Sequence, residues 1–234
     1  AVAAALANPE RRFVKILATD NAARRLEAEI TARHLTVEPV RPRDLDNMLG
    51  TDTVHQGVLA EVEPLPEPKI DDLVRAAGST GGPLILLDQV TDPHNVGAVL
   101  RSAAVFGSSG VVTTRRHSPP LNGTLAKSAS GALELVPVAL VQNLSRTMEE
   151  LKEAGVVLIG LDGDGETLLD DQPLFGAVAF VLGAEGKGLR QLTRETCNHV
   201  CRIGTSGALA SLNVSNAAAL SLHLAFLRRR PQTV

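Results

Sequence analysis

Three stretches of this chain carry the kinds of polar side chain that hold and orient a ligand, each where the backbone can come close to one. Residues 203–220, IGTSGALASLNVSNAAAL, run from Gly, Thr, Ser and Ala into Ser211, Leu212, Asn213, Val214, Ser215 and Asn216, then into an almost wholly apolar segment. Small residues let a backbone approach a ligand or another backbone. The hydroxyls and amides at 211–216 can cap the helix that follows and leave its first N–H groups free to meet a ligand. Residues 84–106, LILLDQVTDPHNVGAVLRSAAVF, place Asp88, Asp92, His94 and Asn95 in a polar turn and Arg101 on the helical pattern beyond it. Residues 178–190, VAFVLGAEGKGLR, gather Gly183, Glu185, Gly186 and Gly188 within six positions. Alone, the first stretch reads equally well as an ordinary N-cap before a core helix; the recurrence of its character in the other two favours a shared site.

The elements that must position these residues follow from the pattern between them. From residue 84 short apolar runs alternate with helical segments: LILLD, a helix over 95–106, GVVTT, a helix around 121–131, ELVPVALV, a helix over 143–154, VVLIGLD, AFVLG, a helix over 188–196, HVCRI and a helix over 213–229. Such alternation predicts an α/β domain with a mostly parallel sheet covered by helices on both faces. Each polar stretch then follows a strand, at the C-terminal edge where open α/β sheets place their ligands. Residues 1–63 mix a helical segment at 21–32 with short β-like runs and end in HQGVLAEVE, a small α/β domain of its own. Pro64, Pro66 and Pro68 stiffen a connection. The linker is set at 64–78, with a short helix over 71–78, and the second domain at 79–234.

In this order, the three stretches resemble the signature motifs of the TrmH-like branch of the SPOUT class, which methylates RNA ribose 2′-hydroxyls using S-adenosylmethionine. The resemblance spans roughly residues 84–227, and residues 1–63, closed by His55, Gln56 and Gly57, are similar to the small ribosomal-protein-like RNA-binding domain of the bacterial ribosomal-RNA enzymes of that branch. It implies a deep trefoil knot, which neither spacing nor periodicity reveals. It also implies S-adenosylmethionine as donor, S-adenosylhomocysteine as product, a homodimer through the C-terminal domain, and as substrate a guanosine ribose in large-subunit ribosomal RNA. The last helix, AAALSLHLAFL, is apolar on nearly every face, as a core or shared helix must be.

By motif position the resemblance marks Asn95, Arg101, Glu185, Ser211 and Asn213 as catalytic. It lines the donor pocket with Gly183, Ile203 and Leu212, with Gly204 and Gly207 nearby. Methyl transfer to a hydroxyl asks for alignment, help in losing the proton and a donor pocket. A guanidinium with a pKa above about 12 is no base at neutral pH. Arg101 is therefore expected to bind the phosphate beside the target ribose and stabilise the developing alkoxide. Asn95 has a second reading as cap of the helix over 95–106, Glu185 as a solvated loop carboxylate or as a partner positioning Arg101 or the substrate.

Bulk properties narrow the alternatives. With 44% hydrophobic and 21% charged residues the chain is globular, and no apolar run reaches membrane-spanning length. The start AVAAALANPERR has no basic region ahead of its apolar run and is not expected to be a signal peptide; a cytoplasmic protein is expected. A net charge of −3 gives no global nucleic-acid signature, and five Phe without Trp or Tyr leave few stacking platforms. RNA contacts then fall to local basic groups: Arg11–Arg12, Arg24–Arg25, Arg41 with Arg43, Arg115–Arg116–His117, and Arg228–Arg229–Arg230, each more often a solvated face. Cys197 and Cys201 bracket His199 without the second cluster a metal site needs, so free thiols and no metal are expected. VVLIGLDGDGET at 156–167 suggests a partial dinucleotide fingerprint. Its third glycine is missing and Asp162, Asp164 and Glu166 would repel a pyrophosphate, so it is taken as a plain turn outside the donor site. The competing functions are a transfer-RNA methyltransferase, a silent RNA-binding protein of the same fold, and a nucleotide-dependent oxidoreductase resting on that turn.

Overall fold

The computed structural model describes residues 1–207 and 212–229, and the chain divides into two compact units, Ala1–Pro66 and Glu67–Val234. The first unit runs α1 (Val2–Ala7), β1 (Phe13–Ala18), α2 (Asp20–Arg25), α3 (Glu27–Ala32), β2 (Val37–Pro39), α4 (Pro42–Leu49) and β3 (Val58–Val62). Its sheet has the order β2-β1-β3, with β2 parallel and β3 antiparallel to the central strand. Leu6, Ile16, Leu26 and Ile30 form its core.

The second unit runs α5 (Ile70–Thr80), β4 (Leu84–Asp88), α6 (Pro93–Phe106), β5 (Gly110–Thr114), α7 (Gly123–Ser128), β6 (Val138–Val141), α8 (Leu144–Glu153), β7 (Val157–Leu161), β8 (Thr167–Leu168), β9 (Val178–Gly183), α9 (Gln191–Thr196), β10 (His199–Arg202) and α10 (Val214–Arg229). The seven strands form one sheet in the order β6-β5-β4-β9-β7-β10-β8, and every pairing is parallel. The α/β architecture expected from the alternating pattern is thus what forms. β4 is buried along its whole length because both faces are covered. Ile85 and Leu87 enter the core on the side of α6, α7 and α10, and Leu84 and Leu86 that on the side of α5 and α8. That is the two-residue alternation of a strand.

Several boundaries differ from expectation for local reasons. Helix α5 occupies most of the segment read as linker, with Leu73 and Ala77 buried in the second unit's core. Helix α6 starts two residues early, because Asp92 caps it by accepting from the His94 N–H at 2.9 Å and Pro93 suits its first turn. Asn95 is therefore not the cap. The helix expected over 188–196 is shortened to α9, since Gly188 takes φ +64° in a loop bridged from Ala184 to Gly188. Among the described residues no helix is long and apolar enough to cross a membrane.

Gly97 fixes the seat of α6. A Cβ there would lie 2.6 Å from Ser128 Cβ and 2.7 Å from the Ser128 carbonyl carbon, so α7 approaches α6 at backbone distance. Alanine gains about 1 kcal/mol in helix propensity, but the crowding is against backbone and cannot be relieved by a rotamer. Gly97→Ala should lower stability by about 2 kcal/mol net, a Tm drop of about 4–8 °C by calorimetry.

Candidate functional site

At the C-terminal edge of the sheet three chain segments meet through one amide. Asn213 precedes α10, and its Oδ1 accepts from the Ser215 backbone N–H at 2.9 Å and the Ser215 hydroxyl at 2.6 Å. With the oxygen so engaged, Nδ2 must point the other way, where it donates to Asn95 Oδ1 at 3.0 Å and to Glu185 Oε1. Asn213 thus caps α10 and at the same time joins the polar cluster. Asn95 accepts with its oxygen, so its own NH₂ remains to donate outward. Asn95, Glu185 and Asn213, set 118 and 28 positions from one another through Asn213, are thus brought together. Arg101 lies six residues, under two turns, along α6 from Asn95, exposed, and its side chain makes no hydrogen bond or ion pair among the described residues. Ser211 lies outside the described residues.

Beside the cluster is a cavity of about 340 Å³. Leu161, Leu182, Ile203, Leu212, Val214 and Ala217 give it apolar surface, and Gly183 through Gly188 supply a wall of backbone. Three carboxylates, Asp162, Asp164 and Glu185, line it against one cation, Lys187. Gly183, Ile203 and Leu212 stand where expected, whereas Gly204 and Gly207 are not among the described lining residues; Gly204 packs toward Leu168 instead. The need for glycine at 183 is internal, because a Cβ would sit 2.1 Å from the Gly188 carbonyl oxygen where the loop folds back.

The Gly163 turn, expected to lie outside the donor site, borders this cavity. Strand β7 lies between β9 and β10, so the turn that leaves its C-terminal end falls between the two loops that form the cavity, and Leu161 through Asp164 are part of the wall. Asp162 is held there by Arg194 at 2.9 Å and accepts from the Asp164 N–H at 3.0 Å.

Sequence reasoning missed the anchor of the glycine loop. Asp88, with a fully buried side chain at the end of β4, takes Arg190 Nε at 2.7 Å on Oδ1 and the Arg190 backbone N–H at 3.1 Å on Oδ2. A lone carboxylate ending an apolar strand, with an arginine just past a glycine loop, was the available signal. Three of the arginines proposed for RNA, Arg11, Arg228 and Arg229, hold backbone carbonyls instead. Arg228 donates to the Asp170 and Gln172 carbonyls, and Arg229 to that of Phe106 at 2.7 Å, where it closes the end of α6. Arg11 is buried and donates to Glu63 O at 2.7 Å. Burial pushes the Cys197 thiol up to about 12, so it is no nucleophile at neutral pH.

A parallel α/β domain with a cavity and a polar cluster at the strand ends is a ligand-binding domain of the kind the three motifs announce. Residues 82–223 match the SpoU rRNA methylase family, and residues 1–68 match the RNA 2′-O ribose methyltransferase substrate-binding family. The chain belongs to the SpoU rRNA methylase family. It is 38% identical to the 23S rRNA (guanosine-2′-O-)-methyltransferase RlmB of Pectobacterium atrosepticum, over 98% of this chain and 96% of that one. It is 39% identical to the RlmB of Pseudomonas syringae pv. tomato, over 87% and 82%. Among solved structures, the SpoU methyltransferase AviRb from Streptomyces viridochromogenes in complex with the cofactor AdoMet superposes with a TM-score of 0.80 at 25% identity, covering 97% of this chain and 87% of that one.

The Asp88–Arg190 pair should respond asymmetrically to truncation. Arg190→Ala strands a buried carboxylate and should cost about 3–5 kcal/mol in chemical denaturation. Asp88→Ala releases a half-exposed guanidinium to water and should cost clearly less. Equal losses would show that the pair does not hold the loop as described.

Proposed function

We propose that this chain transfers the methyl group of S-adenosylmethionine to a ribose 2′-hydroxyl of large-subunit ribosomal RNA, the target being a guanosine. The observation that carries the reading is the cavity beside the Asn95–Asn213–Glu185 cluster. Its volume lies in the range of about 300–1,000 Å³ usual for small-ligand sites. Its carboxylates suit a ligand bearing an ammonium and a sulfonium, and would oppose the pyrophosphate of a dinucleotide. Leu161, Ile203 and Leu212 would enclose the adenine, with the backbone of 183–188 available to its edge. When bound, S-adenosylmethionine supplies an electrophilic methyl.

The chain's own residues then have separable tasks. Asn213 fixes the Asn95 amide so that its NH₂ is free for the ribose or its neighbouring phosphate, and it holds the Glu185 carboxylate at the cavity's rim. Arg101 carries a positive charge on an exposed face of α6 with no partner among the described residues to compete for it, which suits a phosphate contact and stabilisation of the oxygen as its proton leaves. A guanidinium remains a donor throughout, so the proton goes to water or a phosphate oxygen. Ser211 belongs to the same proposal by motif position.

The reading extends to the rest of the molecule. Residues 1–63 bind the RNA, and residues 79–234 catalyse. The order β4-β9-β7 has the later strand β9 inserted beside β4, in keeping with the trefoil knot of this class. A homodimer is formed through the second unit, where Val105 of α6 and Leu220 and Leu227 of α10 leave apolar surface exposed. The protein acts in the cytoplasm.

Transfer of labelled methyl from S-adenosylmethionine to unmodified 23S ribosomal RNA tests the reading. Arg101→Ala should lower kcat by about 10²–10³-fold with donor affinity unchanged in calorimetry. Gly163→Trp should fill the cavity and weaken the donor about tenfold or more while the fold is kept. A wild-type protein that binds the donor and transfers nothing to any RNA would instead be a silent member of the fold, and preference for transfer RNA would overturn the substrate.

A further inference from the structure

The first unit contains a cleft of about 580 Å³ that none of the tasks above uses. Its lining includes Thr19, Asn21, Arg24, Pro39, Arg41 and Pro42, together with the carboxylates of Asp20 and Asp44. Its volume is that of a small-molecule site, too small for the side of a duplex to enter. We infer that this cleft receives one unpaired nucleotide of the RNA substrate, its base against the Pro39 and Pro42 rings and the Arg41 guanidinium, its edge on Asn21 and its phosphate on Arg24. The inference rests on the RNA-methyltransferase reading.

Four observations support it. Arg24 is exposed and its side chain has no hydrogen bond or ion pair among the described residues, so its charge is available. Arg41 is held flat by a two-point pair with Asp44, Nε to Oδ2 at 3.1 Å and Nη2 to Oδ1 at 3.0 Å, which presents a planar face while using its charge internally. Arginine planes are stacking surfaces for RNA bases, and they are needed here because the unit's one aromatic ring, Phe13, is already covered by Arg33 at 5.8 Å. Asn21 carries both a donor and an acceptor at its tip, the pattern that reads a base edge.

The fourth observation concerns the HQG turn, which otherwise has no task. Gln56 takes φ +52°, a left-handed conformation that strains a non-glycine residue and persists only where its surroundings enforce it. The enforcement is visible. His55 Nδ1 accepts from the Gly57 N–H at 3.0 Å and its Nε2 lies 3.1 Å from Asp46 Oδ1, while Arg25 donates to the Gln56 carbonyl at 3.1 Å. The turn in turn buttresses the cleft. Gly57 O accepts from the Thr19 N–H at 2.8 Å, and a Cβ on Gly57 would come within 2.6 Å of Thr19 Oγ1. The wall at Thr19 is therefore built before any ligand arrives.

The test uses the full chain and fluorescence anisotropy with short single-stranded oligo(A), oligo(C), oligo(G) and oligo(U), and with a blunt RNA duplex of the same length. Single strands should bind with a preference among bases and the duplex should compete poorly. Asn21→Ala and Arg24→Ala should each weaken single-strand binding about tenfold, Arg24→Lys less, and Arg146→Ala, on α8 of the second unit and paired with Glu150, not measurably. Methyl transfer to 23S ribosomal RNA should show the same rise in KM with kcat and donor affinity kept. Cleft variants that bind single strands like Arg146→Ala, or a duplex that binds as well as the strands, would overturn the inference while leaving the methyltransferase reading intact. Cleft-dependent binding without any methyl transfer by the wild-type protein would do the reverse.

Discussion

The Asn213 side chain is the junction on which the second unit's working end depends. Its oxygen closes the start of α10 and its nitrogen joins the start of α6 to the glycine loop after β9. Neither half of the amide can be exchanged for the other: a flipped amide would present NH₂ to the Ser215 N–H and oxygen to the Glu185 carboxylate, two repulsive contacts in place of attractive ones. The cap thereby dictates the orientation of a group that faces the site, and that group dictates which end of Asn95 is left for a ligand. An aspartate would cap as well but would set a second carboxylate against Glu185, which is a physical reason for an amide here.

The remaining parts of the site are arranged around that junction by strand order. Placing β9 between β4 and β7, with β10 beyond, brings the ends of four strands that are far apart in sequence into one row. Parallel strands leave all their C-terminal loops on the same side. The loops then need tethers, since glycine-rich backbone resists being held in one conformation. Asp88–Arg190 tethers the loop after β9 to the end of β4, and Asp162–Arg194 tethers the turn after β7 to α9. Both tethers join a carboxylate at a strand end to an arginine in the segment 190–194. Charge that looks dispersed along the chain is spent on fixing the cavity's walls.

This explains which parts were legible in the sequence. The strands were, because a doubly covered parallel strand such as LILLD must be apolar throughout. The three polar stretches were legible as a group because topology forces strand-end loops together. The wall formed by Leu161 to Asp164 was not, although its sequence was in plain view: the local composition argues against a pyrophosphate, but nothing local says that β7 lies between β9 and β10. The internal partners of Arg228 and Arg229 were hidden for a related reason. Arg228 and Arg229 sit at the end of an apolar helix, where a guanidinium serves the carbonyls of neighbouring segments, and those segments are distant in sequence. Asn95 lost its role as cap to Asp92, a competitor three residues away that stands directly before a proline.

The scarcity of aromatic residues gives the first unit its character. With a single Phe and slightly more acidic than basic side chains over residues 1–66, it cannot bind RNA through a stacking sheet or a diffuse positive field. What it has are arginines sorted by their partners. Arg11 and Arg33 are absorbed by backbone carbonyls and an aromatic face, and Arg25 by the HQG turn. Arg41 is flattened by Asp44, and Arg24 is left unpaired at the same cleft. A unit that neutralises most of its cations internally and leaves Arg24 unpaired beside a concave wall would discriminate by geometry more than by charge. Such selectivity is what a modifying enzyme needs when every nucleotide of its substrate offers the same phosphate and the same ribose.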